Sequence, residues 1–278
     1  REHFDGNNFQ ILNIESKSDK FTTYFIEYKS EGLTISGSMS VPKGKGPFPV
    51  VVINHGYHEP AFYDPEGAQL RGEEFFSSNG YVALHPDYRN FGESDKDPNV
   101  ESNLRIDYAE DVINLIYAVR SAHLEFMNTD NMVMLGHSMG GAIAESIMTT
   151  QPHLIKAYSL YSASSADASE NFYRWLVIGP EVAKAEAVAH GSPTDNPNFW
   201  HDISPINFLA NVTEPVIIHH GESDRTVPEI YSENLYKALQ KENKTVQFYS
   251  YPGEDHKFGK SWALMMQRSL DFFNAQLK

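Results

Sequence analysis

Four stretches of the sequence have the form G-x-S: Gly92-Glu93-Ser94, Gly136-His137-Ser138, Gly221-Glu222-Ser223 and Gly259-Lys260-Ser261. Only Ser138 has a second glycine, Gly140, two residues later. That glycine matters because a nucleophilic serine stands on a strained strand-to-helix turn. Both flanking positions must be tiny there, so that the turn can close and the helix can pack on the strand. The surroundings agree. The apolar run NMVMLG precedes the turn, and GGAIAESIM, a helix start built from small residues, follows it. Ordinary turns also produce G-x-S-x-G, so the assignment of Ser138 depends on finding its partners.

A serine hydroxyl is a poor nucleophile at neutral pH; a base must take its proton and a carboxylate must orient that base. In HHGESDRTVPE, Asp224 follows an apolar run by a few residues and precedes a helix. In YSYPGEDHKF, His256 lies in a loop between the last expected strand and the last helix. The order Ser138, Asp224, His256 is that of a nucleophile-elbow hydrolase. Glu222 and Glu229 compete with Asp224, and Asp255 adjoins His256, but adjacent loop side chains diverge, which disfavours Asp255. Of the 12 histidines, only His256 follows the last expected strand.

Other polar residues read more plainly. His55, His58 and the pair His219-His220 are loop or core histidines, since no H-E-x-x-H spacing exists and His58-Glu59 runs into Pro60. There is no G-x-G-x-x-G after the first sheet strand and no G-x-x-x-x-G-K. Neither a metal nor an organic cofactor is therefore expected. Arg89, in PDYRNFGES, reads as a tie between its loop and nearby carboxylates.

The elements that must position these groups follow from hydrophobic period. FQILNI, FTTYFIEY and LTISGSMSV alternate apolar and polar residues, as antiparallel strands with one wet face do. Then come continuous apolar runs at 49–54, 81–86, 131–136, 156–162 and 215–221, suited to parallel strands buried on both faces. Leu104, Tyr108, Val112, Leu115, Ile116 and Val119 repeat at helical spacing, with Arg105 and Asp111 on the other side. A helix behind Pro228, the strand TVQFYSYP and a helix over about 260–276 complete the chain. Alternating strand and helix predicts one doubly wound α/β domain over 1–278, with a mostly parallel sheet, antiparallel N-terminal strands and helices on both faces. Residues 163–204, rich in Ser, Pro and Asn, form an irregular cap inserted between two strands. Its Phe172, Trp175 and Trp200 line an acyl or aryl pocket or make the cap's own small core. With His55 they are the candidate substrate-binding residues.

Composition sets outer bounds. The chain has 278 residues, 41% hydrophobic and 13% aromatic, enough for a sizeable core and unlike a disordered or fibrous protein. A net charge of −15 argues against nucleic acid or an anionic membrane surface as partner. With no cysteine there is no disulfide, thiolate metal site or thiol nucleophile. No apolar run approaches the ~18 residues of a membrane span. The chain opens on Arg1, not Met, which leaves room for a removed targeting segment. The expectation is a soluble protein, cytoplasmic or exported.

Taken together, VVINHGYHEP, NGYVALHPDYRNFGES, MLGHSMGG, the run DISPINFLANVTEPVIIHHGESDRTVP and YPGEDHKF resemble an α/β-hydrolase. The group concerned contains prolyl oligopeptidase-like and acylaminoacyl-peptidase-like catalytic domains and single-domain esterases such as cinnamoyl esterases. The resemblance implies Ser138 as nucleophile, His256 as general base and acid, and Asp224 as orienting carboxylate. It also implies an oxyanion hole from the backbone N–H groups of Met139 and Tyr57. Here Tyr57 replaces the second glycine of the commoner H-G-G form, which keeps a main-chain donor but crowds the acyl pocket. The expected activity is cleavage of small, short-chain acyl or aryl carboxylic esters. A peptidase of the acylaminoacyl or dipeptidyl type is the alternative, disfavoured because the large peptidases carry a propeller for which this chain has no room. A silent binding scaffold is a third reading.

Overall fold

The alternating stretches near the N-terminus become β1 (Asn7–Lys17), β2 (Phe21–Ser30) and β3 (Leu33–Pro42), paired antiparallel. The computed structural model describes residues 4–63 and 70–278, so Arg1 lies outside the described residues. The five continuous apolar runs become β4 (Phe48–Asn54), β5 (Val82–Pro86), β6 (Met127–His137), β7 (Tyr158–Tyr161) and β8 (Val216–Gly221), and TVQFYSYP becomes β9 (Val246–Tyr251). One nine-stranded sheet results, in the order β1-β2-β3-β5-β4-β6-β7-β8-β9. From β5 to β9 every pairing is parallel, and β3 joins β5 antiparallel.

Helices cover both faces: α1 (Leu70–Ser78), α2 (Asp107–Ala122), α3 (Met139–Thr150), then α4 (Ala168–Ile178), α5 (Pro180–His190), α6 (Pro197–Asp202), α7 (Glu229–Lys241) and α8 (Trp262–Gln276). Successive strand residues point to opposite faces, so β4 feeds two cores. Val50 and Val52 pack with residues of α2, α3 and α7, while Val51 and Ile53 pack with α1 and α8. Such two-sided burial is why these strands carry unbroken apolar runs. No helix among the described residues is long and apolar enough to cross a membrane.

Arg89 behaves as the tie its sequence context suggested. Fully buried against Asp111, it donates from Nε to Oδ2 at 3.0 Å and from Nη2 to Oδ1 at 2.8 Å, and further bonds reach Glu31 and Asp97.

Three local readings are corrected. The crossover helix starts at Asp107; Leu104 and Arg105 precede it with φ of 55° and 58°, two left-handed residues that periodicity cannot anticipate. Helix α1 was not foreseen. The cap, read as irregular, holds the three helices α4 to α6, because its polar and proline residues are helix signals. Asp167 accepts from the Ser169 N–H as N-cap of α4, and Pro180 and Pro197 open α5 and α6.

Candidate active site

Ser138 occupies the turn between β6 and α3 with φ 52° and ψ −117°, the strained elbow that its two glycines require. A Cβ on Gly140 would lie 2.1 Å from the Asn54 carbonyl oxygen, and one on Gly136 would lie 2.5 Å from the Gly140 carbonyl oxygen. The turn is fixed by the Ser138 N–H donating to the Tyr161 carbonyl at 3.2 Å and by its own carbonyl accepting from Ser164 at 3.1 Å. It stands at the carboxyl ends of β4 and β6, next to the point where the strand order reverses and open α/β sheets gather their ligands.

The loop after β9 brings His256 to this turn, with Nε2 at 3.0 Å from Ser138 Oγ and Nδ1 at 2.7 Å from Asp224 Oδ2. Glu254 shapes that loop by accepting from the Gly259 and Ser261 N–H groups at 2.6 and 2.7 Å. His137 donates from Nε2 to the His256 carbonyl at 3.0 Å. Burial, and then the charge of His256, pushes His137 down to about 3, so it stays neutral and keeps its single proton for that bond.

Asp224 follows β8 and its side chain is completely buried. Oδ1 accepts from the Thr226 and Val227 N–H groups at 2.8 and 2.9 Å; Oδ2 takes His256 and, at 3.3 Å, Nε2 of His220. Burial alone would raise this carboxyl, but the bonds from His220 and His256 and the His256 charge outweigh it and hold Asp224 well below the usual carboxylate range. An ionised carboxylate only accepts, so Nδ1 of His256 carries the proton and Nε2 offers a lone pair to the serine hydroxyl. The rival acids are engaged elsewhere: Glu222 accepts from the Ser250 hydroxyl and Asp255 from the Lys257 N–H. His220 was not foreseen in the site. Its Nδ1 accepts from the Ser232 hydroxyl at 2.7 Å, which leaves Nε2–H to point at Asp224 and the Val227 carbonyl.

A cavity of ≈ 400 Å³ opens beside Ser138, lined by Tyr57, Met139, Ala142 and Ile143. Among the described residues neither the Tyr57 nor the Met139 N–H donates to a protein acceptor. Both residues line the cavity, and Met139 opens α3, at the positive end of its dipole. Tyr57 is 42% exposed, and the Arg105 guanidinium lies 4.4 Å from its ring centroid.

From the cap, Phe172, Trp175 and Trp200 line this cavity. Phe172 and Trp200, with ring centroids 5.0 Å apart, also form the cap's core. His55 is a correction: it is fully buried under the loop, stacks 4.3 Å from Tyr88, contacts the Gly56 and Asp87 carbonyls and does not line the cavity. Burial and then His85 push it down to about 3, so it is a neutral strut for the loop carrying Tyr57. Three charged cavity residues escaped sequence reasoning, namely Arg105, Glu145 and Glu186. Burial, only partly offset by Arg105, pushes Glu186 up to about 7.

Residues 69–278 match the prolyl oligopeptidase family. Over 99% of its length the chain is 25% identical to the acylamino-acid-releasing enzyme of Rattus norvegicus, of which it spans 37%. The solved acylaminoacyl peptidase of Pyrococcus horikoshii superimposes with a TM-score of 0.75 at 20% identity, over 94% of this chain and 42% of that one. An acetyl xylan esterase from Paenibacillus sp. R4 gives 0.75 at 16% identity, over 98% and 90%. The two structures share the α/β-hydrolase fold with it, and the chain spans less than half of both peptidases. On this match, which takes in β5 to β9 and all of Ser138, Asp224 and His256, the chain belongs to the prolyl oligopeptidase family of α/β-hydrolases.

Proposed function

We propose that this protein hydrolyses carboxylic esters of short acyl or small aryl acids through an acyl-enzyme formed on Ser138. The observation that carries the proposal is the unbroken hydrogen-bond chain from Asp224 through His256 to Ser138 at the edge of one largely apolar cavity. In this mechanism the Ser138 oxygen attacks the ester carbonyl as His256 Nε2 takes its proton. The developing oxyanion is held by the Met139 and Tyr57 N–H groups, each such donor contributing about 3 kcal/mol to the transition state. His256 then returns the proton to the leaving alcohol, and water, activated by the same nitrogen, releases the acid.

Which half of the substrate fills the cavity follows from who must protonate what. Tyr57, Ser138 and Met139 face the cavity and His256 does not. The leaving oxygen has to reach His256, so the cavity receives the acyl group. At ≈ 400 Å³ it lies at the small end of ligand sites, ~300–1,000 Å³, which suits a short chain or a single ring.

A second reading, cleavage of acylated or short peptides, is favoured by the similarity to an acylamino-acid-releasing enzyme along nearly the whole chain. Rates on p-nitrophenyl acetate, butyrate and octanoate, methyl ferulate, and aminoacyl and acetyl-aminoacyl p-nitroanilides separate the two. The ester reading expects fast short-chain ester cleavage with negligible anilide cleavage; comparable anilide rates would assign the site to a peptidase. Ser138→Ala should abolish both activities in a folded protein, and normal turnover by that variant would refute the nucleophile.

A further inference from the structure

We propose that Glu145 makes the cavity selective for acyl groups that carry a hydroxyl at the end remote from the ester. This inference rests on the esterase reading above and names the substrate class more narrowly.

Glu145 differs from most polar groups of the cavity wall. Ser146 donates its hydroxyl to the Ala142 carbonyl, Ser165 donates to Glu170, and Asn171 exchanges both of its hydrogen bonds with the Ser165 backbone. Arg105 is clasped by Glu101, and Glu186 is partly open to solvent. Glu145 has no such outlet. It is 1% exposed, and its Oε2 has no hydrogen-bond partner among the described residues. A buried carboxyl left unpaired costs stability that an apolar residue would not. A ligand group that completes its hydrogen bonding recovers that loss on binding. Burial raises the Glu145 carboxyl well above its ordinary value, which favours the protonated form. A neutral carboxylic acid offers one donor and one acceptor, which is the complement of a hydroxyl and a poor match for a cation.

The position suits an acyl terminus. Ser138 and Glu145 bracket two turns of α3 (145 − 138 = 7 residues), a rise of about 10 Å at 1.5 Å per residue. Met139, Ala142 and Ile143 wall the space between them. An acyl group seated with its carbonyl at the Met139 N–H therefore runs along an apolar wall and ends beside the buried Glu145 carboxyl. Pure hydrocarbon chains of that length would leave Glu145 unsatisfied.

The test compares kcat/KM for two esters of matched shape, methyl 3-(4-hydroxyphenyl)propanoate and methyl 3-(4-methylphenyl)propanoate. It uses the wild-type protein, Glu145→Gln and Glu145→Leu, with p-nitrophenyl acetate on wild type and Ser138→Ala alongside. The wild type should prefer the hydroxyl ester about tenfold or more. Glu145→Leu should bring the ratio below one, and Glu145→Gln, which keeps polar atoms, should fall between. A wild-type ratio near one, or a preference that survives in Glu145→Leu, overturns the inference. Faster turnover of the 4-aminomethyl analogue than of the hydroxyl ester overturns it in favour of a cation site. If neither variant folds, the wild-type ratio decides. Ser138-dependent acetate hydrolysis with a ratio near one removes Glu145 alone, whereas no Ser138-dependent hydrolysis of any ester removes the esterase reading with it.

Discussion

Replacing Asp224 by asparagine changes one atom, and the bonds around it fix the consequence. Oδ1 is pinned by two backbone donors, Thr226 and Val227, at 2.8 and 2.9 Å. Turning the new amide around would set its NH₂ against those two N–H groups, at ~1–3 kcal/mol for each group left unsatisfied. The amide nitrogen therefore takes the place of Oδ2, 2.7 Å from His256 Nδ1. Two donors now face each other, and His256 relieves the clash by moving its proton to Nε2. There it points at Ser138 Oγ, 3.0 Å away, and the hydroxyl has lost its base. His220 is little disturbed, since its Nε2–H keeps the Val227 carbonyl at 3.0 Å. A wrong tautomer with geometry preserved lowers kcat about 10⁴-fold, or ~5 kcal/mol at 1.36 kcal/mol per decade. The assay is kcat/KM on p-nitrophenyl butyrate, with a thermal melt to show that the variant folds. A folded Asp224→Asn enzyme retaining more than about a tenth of wild-type kcat/KM would refute the tautomer argument and the assignment of Asp224 with it.

Three further outcomes follow from particular contacts. Gly140→Ala would press a Cβ to 2.1 Å from the Asn54 carbonyl oxygen, which is backbone and cannot swing aside. It should cost about 3 kcal/mol or more in urea unfolding, and a loss under about 0.5 would show that the elbow has slack. Arg89→Met strands the fully buried Asp111 without its cation and should destabilise by about 3–5 kcal/mol in the same assay; a neutral effect would mean that Asp111 is protonated. Glu186, pushed up to about 7, binds a proton in the fold that the unfolded chain releases at lower pH. A raised carboxyl contributes stability that is present below its unfolded value and is lost as pH rises through the folded one. The melting-temperature advantage of Glu186→Gln over wild type should therefore be small near pH 4.5 and grow until about pH 7. A difference that does not vary with pH would place Glu186 in ordinary solvent.

The grouping of Ser138, Asp224 and His256 was legible because each member sits where local rules are strict. The elbow accepts only glycine at 136 and 140, and the other two lie in loops directly after the strands β8 and β9. The cavity was legible only in part. Apolar periodicity carried the crossover helix back to Leu104 and so put Arg105 on its outer face; the two left-handed residues that turn Arg105 into the cavity, Leu104 and Arg105 itself, are neither glycine nor asparagine. His55 was drawn into the pocket by its nearness to Tyr57, but chain proximity says nothing of direction, and the two residues leave the strand end on opposite sides, one into the core and one toward solvent. Glu145 was visible as the single acid in an apolar helix start. Which wall it joins depends on how the cap and the 3-10 segment Pro205–Asn211 close over α3, a tertiary fact absent from any local pattern.

The division of the site into two halves bears on what its specificity can mean. On the proposed mechanism the acyl side is enclosed by α3 and the cap, with the buried Glu145 carboxyl in its wall, and the leaving-group side is bordered by the His256 loop, where the His256 side chain keeps 14% exposure. Enclosure supports selection by shape and hydrogen bonding, worth ~1–3 kcal/mol per methylene in an apolar pocket and more where a buried polar group must be matched. An open leaving-group side selects mainly by chemistry, through how readily His256 protonates the departing oxygen or nitrogen. The two choices involve different atoms on opposite sides of Ser138, so their free energies should add. Varying the acyl group at constant leaving group then measures the cavity, and varying the leaving group at constant acyl group measures the ester-versus-peptide preference. Strong non-additivity between the two series would mean that the cavity and the His256 loop move together, and that the acyl group helps to choose the bond that is cut.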